Sequence, residues 1–290
     1  MSVDHYENFP VASVLLPRRL REPVKHIYHF ARSADDIADE GNAPAQERLT
    51  QLDDYRRALR QIQAGKLELS SSDPLHAIFA PLETTIKQFS LPLAPFFDLL
   101  CAFEQDVTTD RYHDDDALFD YCARSANPVG LLMLHLYNAA TPQNIQDSNC
   151  ICTGLQLTNF WQDIAIDWEK SRVYLPQDKL QHYGVSETDI ANQQTDAAWR
   201  ELMQEQTRQA RELLMSGLPL AHRLPGRIGF ELRLIVQGGL RILERLDQLH
   251  YDIFHNRPTL QKRDWILLLW RALSQTRPKI DAANPKPDDA

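Results

Sequence analysis

Cysteine, glycine and long apolar runs are all scarce in this sequence, and each shortage closes a route. The 290 residues hold four cysteines, and Cys150-x-Cys152 has neither the spacing of a zinc pair nor a second pair to complete one. With no disulfide framework and no signal peptide, a reducing cytoplasm is expected. The longest strongly apolar run, residues 265–270, is far short of the roughly 20 residues that cross a bilayer. The expectation is a soluble protein, or one peripheral to the inner face of a membrane. Positive charge is outweighed too: 31 Lys and Arg stand against 40 Asp and Glu, a net charge of −9. A nucleic-acid binder draws its affinity from a basic face, so that class is excluded. No P-loop, Gly-x-Ser-x-Gly elbow or dinucleotide fingerprint is present. The Glu-x-x-His pairs of a di-iron bundle are missing as well.

What remains is helical. Ten glycines are set against seventeen prolines, alternation with period two is hard to find, and long segments with helical spacing dominate. The chain reads as an all-α fold in a single domain over residues 1–276. A polar tail, residues 277–290, is rich in Pro, Asp and Lys and is expected to be disordered.

Two stretches carry charge where a helix should face inward. Tyr28, Arg32, Asp35 and Asp39 advance by four, three and four, so they share one face, with Val24, Ile27 and Ala31 on or beside it. Gln156, Asn159, Asp163 and Asp167 repeat the pattern by three, four and four. A lone Asp-x-x-x-Asp is usually a solvated face. Here it occurs twice, far apart, with apolar residues between the acids and a polar residue upstream on the same face. Two such helices facing across a cavity offer four or more hard oxygen ligands and no thiolate. That donor set suits Mg²⁺, which binds a few carboxylates, waters and a phosphate. The implied substrate is a diphosphate.

Boundary signals order the rest. Pro23 suits the first turn of a helix running to Glu40, with Gly41 as its stop. Further helices are expected over residues 45–64, from Asp73-Pro74 to Phe89, and over 92–106. The cluster Asp114-Asp115-Asp116 reads as the favoured acidic start of a helix rather than a metal site. Pro128 should kink that helix. The second acidic helix spans about 144–169. A loop follows it, Lys170-Ser171-Arg172-Val173-Tyr174-Leu175-Pro176, which brings two cations near the carboxylates. Ser186 and Asp189 resemble a capping box. An amphipathic helix is expected over 195–215, and further helices over 226–251 and 259–276. Gly238-Gly239 within the second of these favours close helix packing over room for a bulky ligand.

Tyr28-x-x-x-Arg32-x-x-Asp35-Asp36-x-x-Asp39 together with Gln156-x-x-Asn159-x-x-x-Asp163-x-x-x-Asp167 resembles the squalene/phytoene synthase family, from about residue 5 to 257. The resemblance implies an isoprenoid synthase helical fold around a central cavity. It implies that Asp35 and Asp39 hold Mg²⁺ from one helix, and Asn159, Asp163 and Asp167 from the other. Arg32, Tyr28, Gln156 and the segment His5, Tyr6, Glu7, Asn8 and Phe9 match positions that contact the diphosphate or its chain. Tyr121 matches a tyrosine lining the cavity, and Arg257 a further diphosphate contact. Gln162 stands at a further substrate-contacting position and departs from the pattern, since many members carry Arg there; an enzyme that ionises a single diphosphate would fit the change. His5-Tyr6-Glu7-Asn8-Phe9-Pro10-Val11 and Ser125-Ala126-Asn127-Pro128-Val129-Gly130 most resemble the bacterial hopanoid-pathway branch. That branch implies conversion of presqualene diphosphate and water to hydroxysqualene, with presqualene diphosphate synthase as a functional partner. Head-to-head condensation of two prenyl diphosphates, to presqualene diphosphate, squalene or phytoene, is the alternative within the family. A non-catalytic assembly protein on the same fold is the alternative outside it.

Overall fold

Prolines and capping side chains set most helix boundaries. The computed structural model describes residues 16–274, and helices are the regular elements throughout, apart from one isolated bridge between Arg111 and Val173. The chain opens with α1 (Arg18–Asp39), α2 (Ala45–Gln63), α3 (His76–Phe89) and α4 (Ala94–Asp106). Next come α5 (Asp115–Ser125), α6 (Asn127–Leu136) and the longest helix, α7 (Pro142–Glu169). Short helices α8 (Gln177–Tyr183) and α9 (Glu187–Ala191) precede α10 (Ala197–Gly217), and α11 (Pro219–Arg223) turns the chain into α12 (Gly226–Gln248) and α13 (Lys262–Ser274).

The acidic triplet does start a helix. Asp114 caps α5 by accepting the Ala117 N–H at 2.9 Å, where the positive end of the helix dipole favours its charge. Ser186 and Asp189 close the expected capping box on α9. The proline effects are stronger or shifted. Pro128 does more than kink its helix: α5 ends and α6 begins around Ala126. Pro23 lies inside α1, which starts at Arg18 rather than at the proline. Its missing N–H forfeits one helical bond, while Pro23 and Leu20 are both buried in the core. The third helix starts at His76, after a turn in which Asp73 accepts the Leu75 N–H at 2.8 Å.

Two apolar cores result. In the first, Phe30 of α1 meets Phe79 and Phe96 edge-on, with centroids 5.8 and 5.4 Å apart, and Leu59 and Leu132 complete it. The second surrounds α7, with Leu157, Trp161, Leu202, Leu214 and Leu243 fully buried. Because α7 is flanked by α6, α10 and α12, it buries residues on most of its faces, including Gln162. Its C-terminal end leads into the loop whose Lys170 and Arg172 reach Asp39 of α1. Gly239 lies where a Cβ would come within 2.8 Å of Leu155 and 3.1 Å of Leu214, so close packing is the use of that glycine. No helix among the described residues is long and apolar enough to cross a membrane.

Gly217 ends α10 hard against α7: a Cβ there would lie 2.5 Å from the Asp147 carbonyl oxygen. Backbone cannot yield as a side-chain tip can, so Gly217→Ala should destabilise the fold by about 1–3 kcal/mol. Urea unfolding followed by circular dichroism measures it.

Candidate active site

The acids of the two helices are brought into one region by the loop that follows α7. Asp39 near the C-terminal end of α1 pairs with Arg172 at 2.5 Å, and Lys170 Nζ lies 3.8 Å from the same carboxylate. Both cations belong to the loop after α7, as the sequence suggested. Arg172 also donates to the Asp106 carbonyl at 3.1 Å. It lies close enough to Asp35, Asp106 and Asp167 to act on the charge of each. Asp163, one turn before Asp167, is gripped in two-pronged fashion by Arg257, at 2.6 and 3.2 Å. Asp35, Asp39, Asp106, Asp163 and Asp167 therefore share one charged region with Arg172, Lys170 and Arg257.

The rim is less buried than the sequence suggested. Val24 and Ile27 are in the core, but Ala31, Arg32, Asp35 and Asp39 are half-buried, because the acids lie beside the apolar face of α1 rather than in its middle. Arg32 bonds to acids of its own helix and its end, Asp35 at 3.1 Å, Asp36 at 2.6 Å and Glu40 at 2.9 Å. Tyr28 lies within electrostatic reach of it. Gln156 is half-buried and Asn159 exposed. His5, Tyr6, Glu7, Asn8 and Phe9, like the 277–290 tail, lie outside the described residues.

Gln162 has a role that its alignment with a substrate-contacting position did not suggest. It is 1% exposed, and its amide donates to the Pro258 carbonyl at 2.6 Å. That bond fixes the backbone beside Arg257, and so the guanidinium that holds Asp163.

Three residues were missed: Asp106, Tyr112 and Tyr174. Asp106 ends α4, where the negative end of the helix dipole disfavours an acid; that mismatch is the one sequence signal it gave. Its carboxylate accepts the Tyr121 hydroxyl at 3.1 Å. Tyr174 stacks on Phe160 with centroids 3.8 Å apart and 9° between planes, and on Tyr112 at 5.7 Å. Tyr121 lies 6.2 Å from Phe160 and 6.1 Å from Tyr174. These four rings form a buried aromatic wall directly beside the carboxylates. The Tyr112 hydroxyl and Trp161 Nε1 are buried there without a hydrogen-bond partner. Strapping between loops fixes the wall: Val173 N–H donates to the Asp110 carbonyl at 3.0 Å, and Arg111 bonds to Glu187 and to the Ser171 carbonyl.

The model of the squalene/phytoene synthase family matches residues 3–264. The chain belongs to that family. A hydroxysqualene synthase of Rhodopseudomonas palustris is 33% identical over 92% of this chain and 88% of its own length. A phytoene synthase of Arthrospira platensis is 29% identical over 97% of this chain and 92% of its own. A crystal structure of the squalene synthase HpnC from Alicyclobacillus acidocaldarius superposes with a TM-score of 0.77 at 32% identity, covering 85% of this chain and 90% of that one. The expected all-α, squalene-synthase-like isoprenoid synthase fold is thus the fold of this chain. The family consists of prenyl-diphosphate-processing synthases that use a divalent metal.

The family's metal can be weighed against these donors. Burial, then the neighbouring Asp39 carboxylate, pushes Asp35 up to about 6. Burial also raises Asp106 to about 7, against the Tyr121 hydrogen bond and Arg172, which lower it. Asp167 rises to about 7 through burial and then the Asp163 charge. Acids so desolvated and so close call for more positive charge than water supplies. Burial works against charge on Arg172, yet Asp39, Tyr174 and Asp106 hold its pKa above the ordinary value. Among the described residues no three acids, histidines or cysteines converge tightly enough to hold an ion; guanidinium groups occupy the space between them. The donors fit a hard divalent cation in kind, and Arg172 and Arg257 are the groups that would have to yield room.

Three acids with folded pKa values of about 6, 7 and 7, against an ordinary 3.8, make stability fall as pH rises. Between those limits the folded chain binds more protons than the unfolded one, so the contribution is largest below 3.8 and is lost through about 7. In metal-free buffer, Asp106→Asn should flatten the decline in Tm between about pH 5 and pH 8 relative to wild type, read by thermal-shift titration. Gln162→Leu strands the Pro258 carbonyl and should cost about 1–3 kcal/mol, read by urea unfolding.

Proposed function

We propose that this chain converts presqualene diphosphate and water to hydroxysqualene and diphosphate. The observation that carries the reading is the junction of two surfaces: an acid cluster interleaved with cations, and a buried aromatic wall against it. Leaving-group chemistry needs the first, and a carbocation needs the second. Similarity to hydroxysqualene synthases of Rhodopseudomonas palustris and Zymomonas mobilis, each at 33% identity, supports the choice of reaction over the phytoene synthases at 28–29%.

Asp35, Asp39, Asn159, Asp163 and Asp167 would hold magnesium, which supplies Lewis-acid neutralisation of the departing diphosphate. Arg32 and Lys170 add positive charge where negative charge develops, the kind of stabilisation that dominates such steps, and Arg172 and Arg257, displaced from Asp39 and Asp163 by the metal, would turn their charge to the diphosphate. The carbon–oxygen bond breaks and its electron pair leaves with diphosphate. The cation left behind would lie against the wall that Tyr174 braces from within, where the ring faces of Tyr121, Phe160 and Tyr112 not covered by stacking can stabilise it by about 2 kcal/mol when water is excluded. One water then forms the new carbon–oxygen bond and releases a proton. The buried Tyr112 hydroxyl, with bonding capacity to spare, is suited to orient it. No hydride is consumed.

Head-to-head condensation is the second reading, favoured by the phytoene synthase likeness over 97% of the chain. Incubating the protein with Mg²⁺ and either presqualene or farnesyl diphosphate separates the two. The expected product is hydroxysqualene from presqualene diphosphate, unchanged by NADPH and carrying label from ¹⁸O-water. Product from farnesyl diphosphate alone would replace this reading with condensation. Arg32→Ala and Asp163→Ala should each lower diphosphate release at least about 10²-fold while leaving the helical circular dichroism signal intact.

A further inference from the structure

Helix α13 is turned inside out. Its inward face is polar: Asp264, 2% exposed, bonds to Arg241 at 2.9 Å and Arg245 at 2.6 Å. Arg271 pairs with Glu244 at 2.6 Å, and Arg233 donates to the Ala272 carbonyl at 2.9 Å. Leu268 and Ala272 add a small apolar cluster with Leu234, Phe230 and Leu260 on that side, and Leu267 is half-buried. The outward face carries Trp265, Ile266, Leu269, Trp270 and Leu273, between 37% and 74% exposed. At 100° per residue these five side chains fill an arc of roughly 140°. Of the large apolar side chains exposed among the described residues, only Val129 and Met215 lie elsewhere, and Met215 lines a shallow pocket with Arg271 and Ser274 at the end of this same helix.

From this arrangement we propose that α13 is an interfacial helix that seats the protein on an anionic phospholipid bilayer. Charge selects the occupant. The chain carries −9 overall, yet the exposed residues of α13 include no acid, and its first turn presents exposed Lys262 and Arg263. Trp and Leu on one face with cations at the edge is the composition of a helix lying in the headgroup region, its apolar side immersed by about 5–10 Å. Tryptophan in particular is enriched at that depth. A second copy of the chain fits less well. One ridge about 20 Å long falls short of the ~800 Å² per partner of a standard protein interface. The ion pairs beneath α13 hold it firmly on α12, so the apolar face is presented as a rigid edge. The inference rests on α13 alone and is independent of the reaction.

The test uses the full-length protein with extruded vesicles, either three parts phosphatidylethanolamine to one of phosphatidylglycerol or pure phosphatidylcholine. Wild type should sediment with the anionic vesicles at least tenfold more tightly than with the neutral ones. Ile266→Glu/Trp270→Glu/Leu273→Glu should abolish sedimentation while keeping the helical signal and the melting transition. Lys262→Gln/Arg263→Gln should keep the fold and lose most of the preference for anionic vesicles. Failure of wild type to bind either vesicle overturns the proposal, as does binding that the triple variant retains. Light scattering that shows a wild-type dimer, monomeric in the triple variant and unable to bind vesicles, assigns the face to self-association instead.

Discussion

Like charges brought close together and partly out of water are the constraint on which this structure turns. Asp35, Asp39 and Asp106 approach from α1 and α4, and Asp163 and Asp167 from α7. Burial and mutual repulsion raise the affinity of Asp35, Asp106 and Asp167 for protons. Such an arrangement is tolerable only if positive charge is placed among the acids. The loop after α7 provides it through Lys170 and Arg172, and the segment before α13 provides it through Arg257. Much of the surrounding architecture serves to hold these cations in place. Arg111 straps the loop to Glu187 and to the Ser171 carbonyl, and Gln162 holds Pro258 beside Arg257.

The aromatic wall follows from the same loops. Tyr112 and Tyr174 come from opposite sides of the Arg111–Val173 bridge and are carried onto Tyr121 and Phe160. Charge and ring faces are thus adjacent because one pair of loops places both. In a family of prenyl-diphosphate-processing synthases, such adjacency lets the leaving group and the hydrocarbon end of one substrate be handled together. The hydrogen bond from Tyr121 to Asp106 at 3.1 Å is the direct link between the two surfaces.

An oily reaction and an outward-facing apolar helix make a consistent pair. The ionic underside of α13 keeps Asp264 almost wholly buried, and its pairing with Arg241 and Arg245 leaves Trp265 and Trp270 on the outer side. A globular protein in water gains stability by turning such residues inward. Their opposite orientation here is what the proposed seating of α13 on a bilayer accounts for.

The sequence alone determined the fold class, most helix boundaries and the acid pairs. Helical period, prolines and caps are local, and three-and-four spacing places Asp35 with Asp39 and Asp163 with Asp167 whatever lies around them. It also placed Lys170 and Arg172 in a loop near the acids, since that loop directly continues α7. Only the tertiary structure decided what joins them. Asp106 is 67 residues along the chain from Asp39 and sits in no motif; it enters because α4 packs against α1. Gln162 reads on paper as a lost cation, and only the approach of Pro258 shows it positioning another one. The outward turn of α13 was equally invisible. Its sequence is amphipathic, and whether its apolar or its polar face meets the protein depends on where α12 puts Arg241 and Arg245, a long-range pairing that no local pattern encodes.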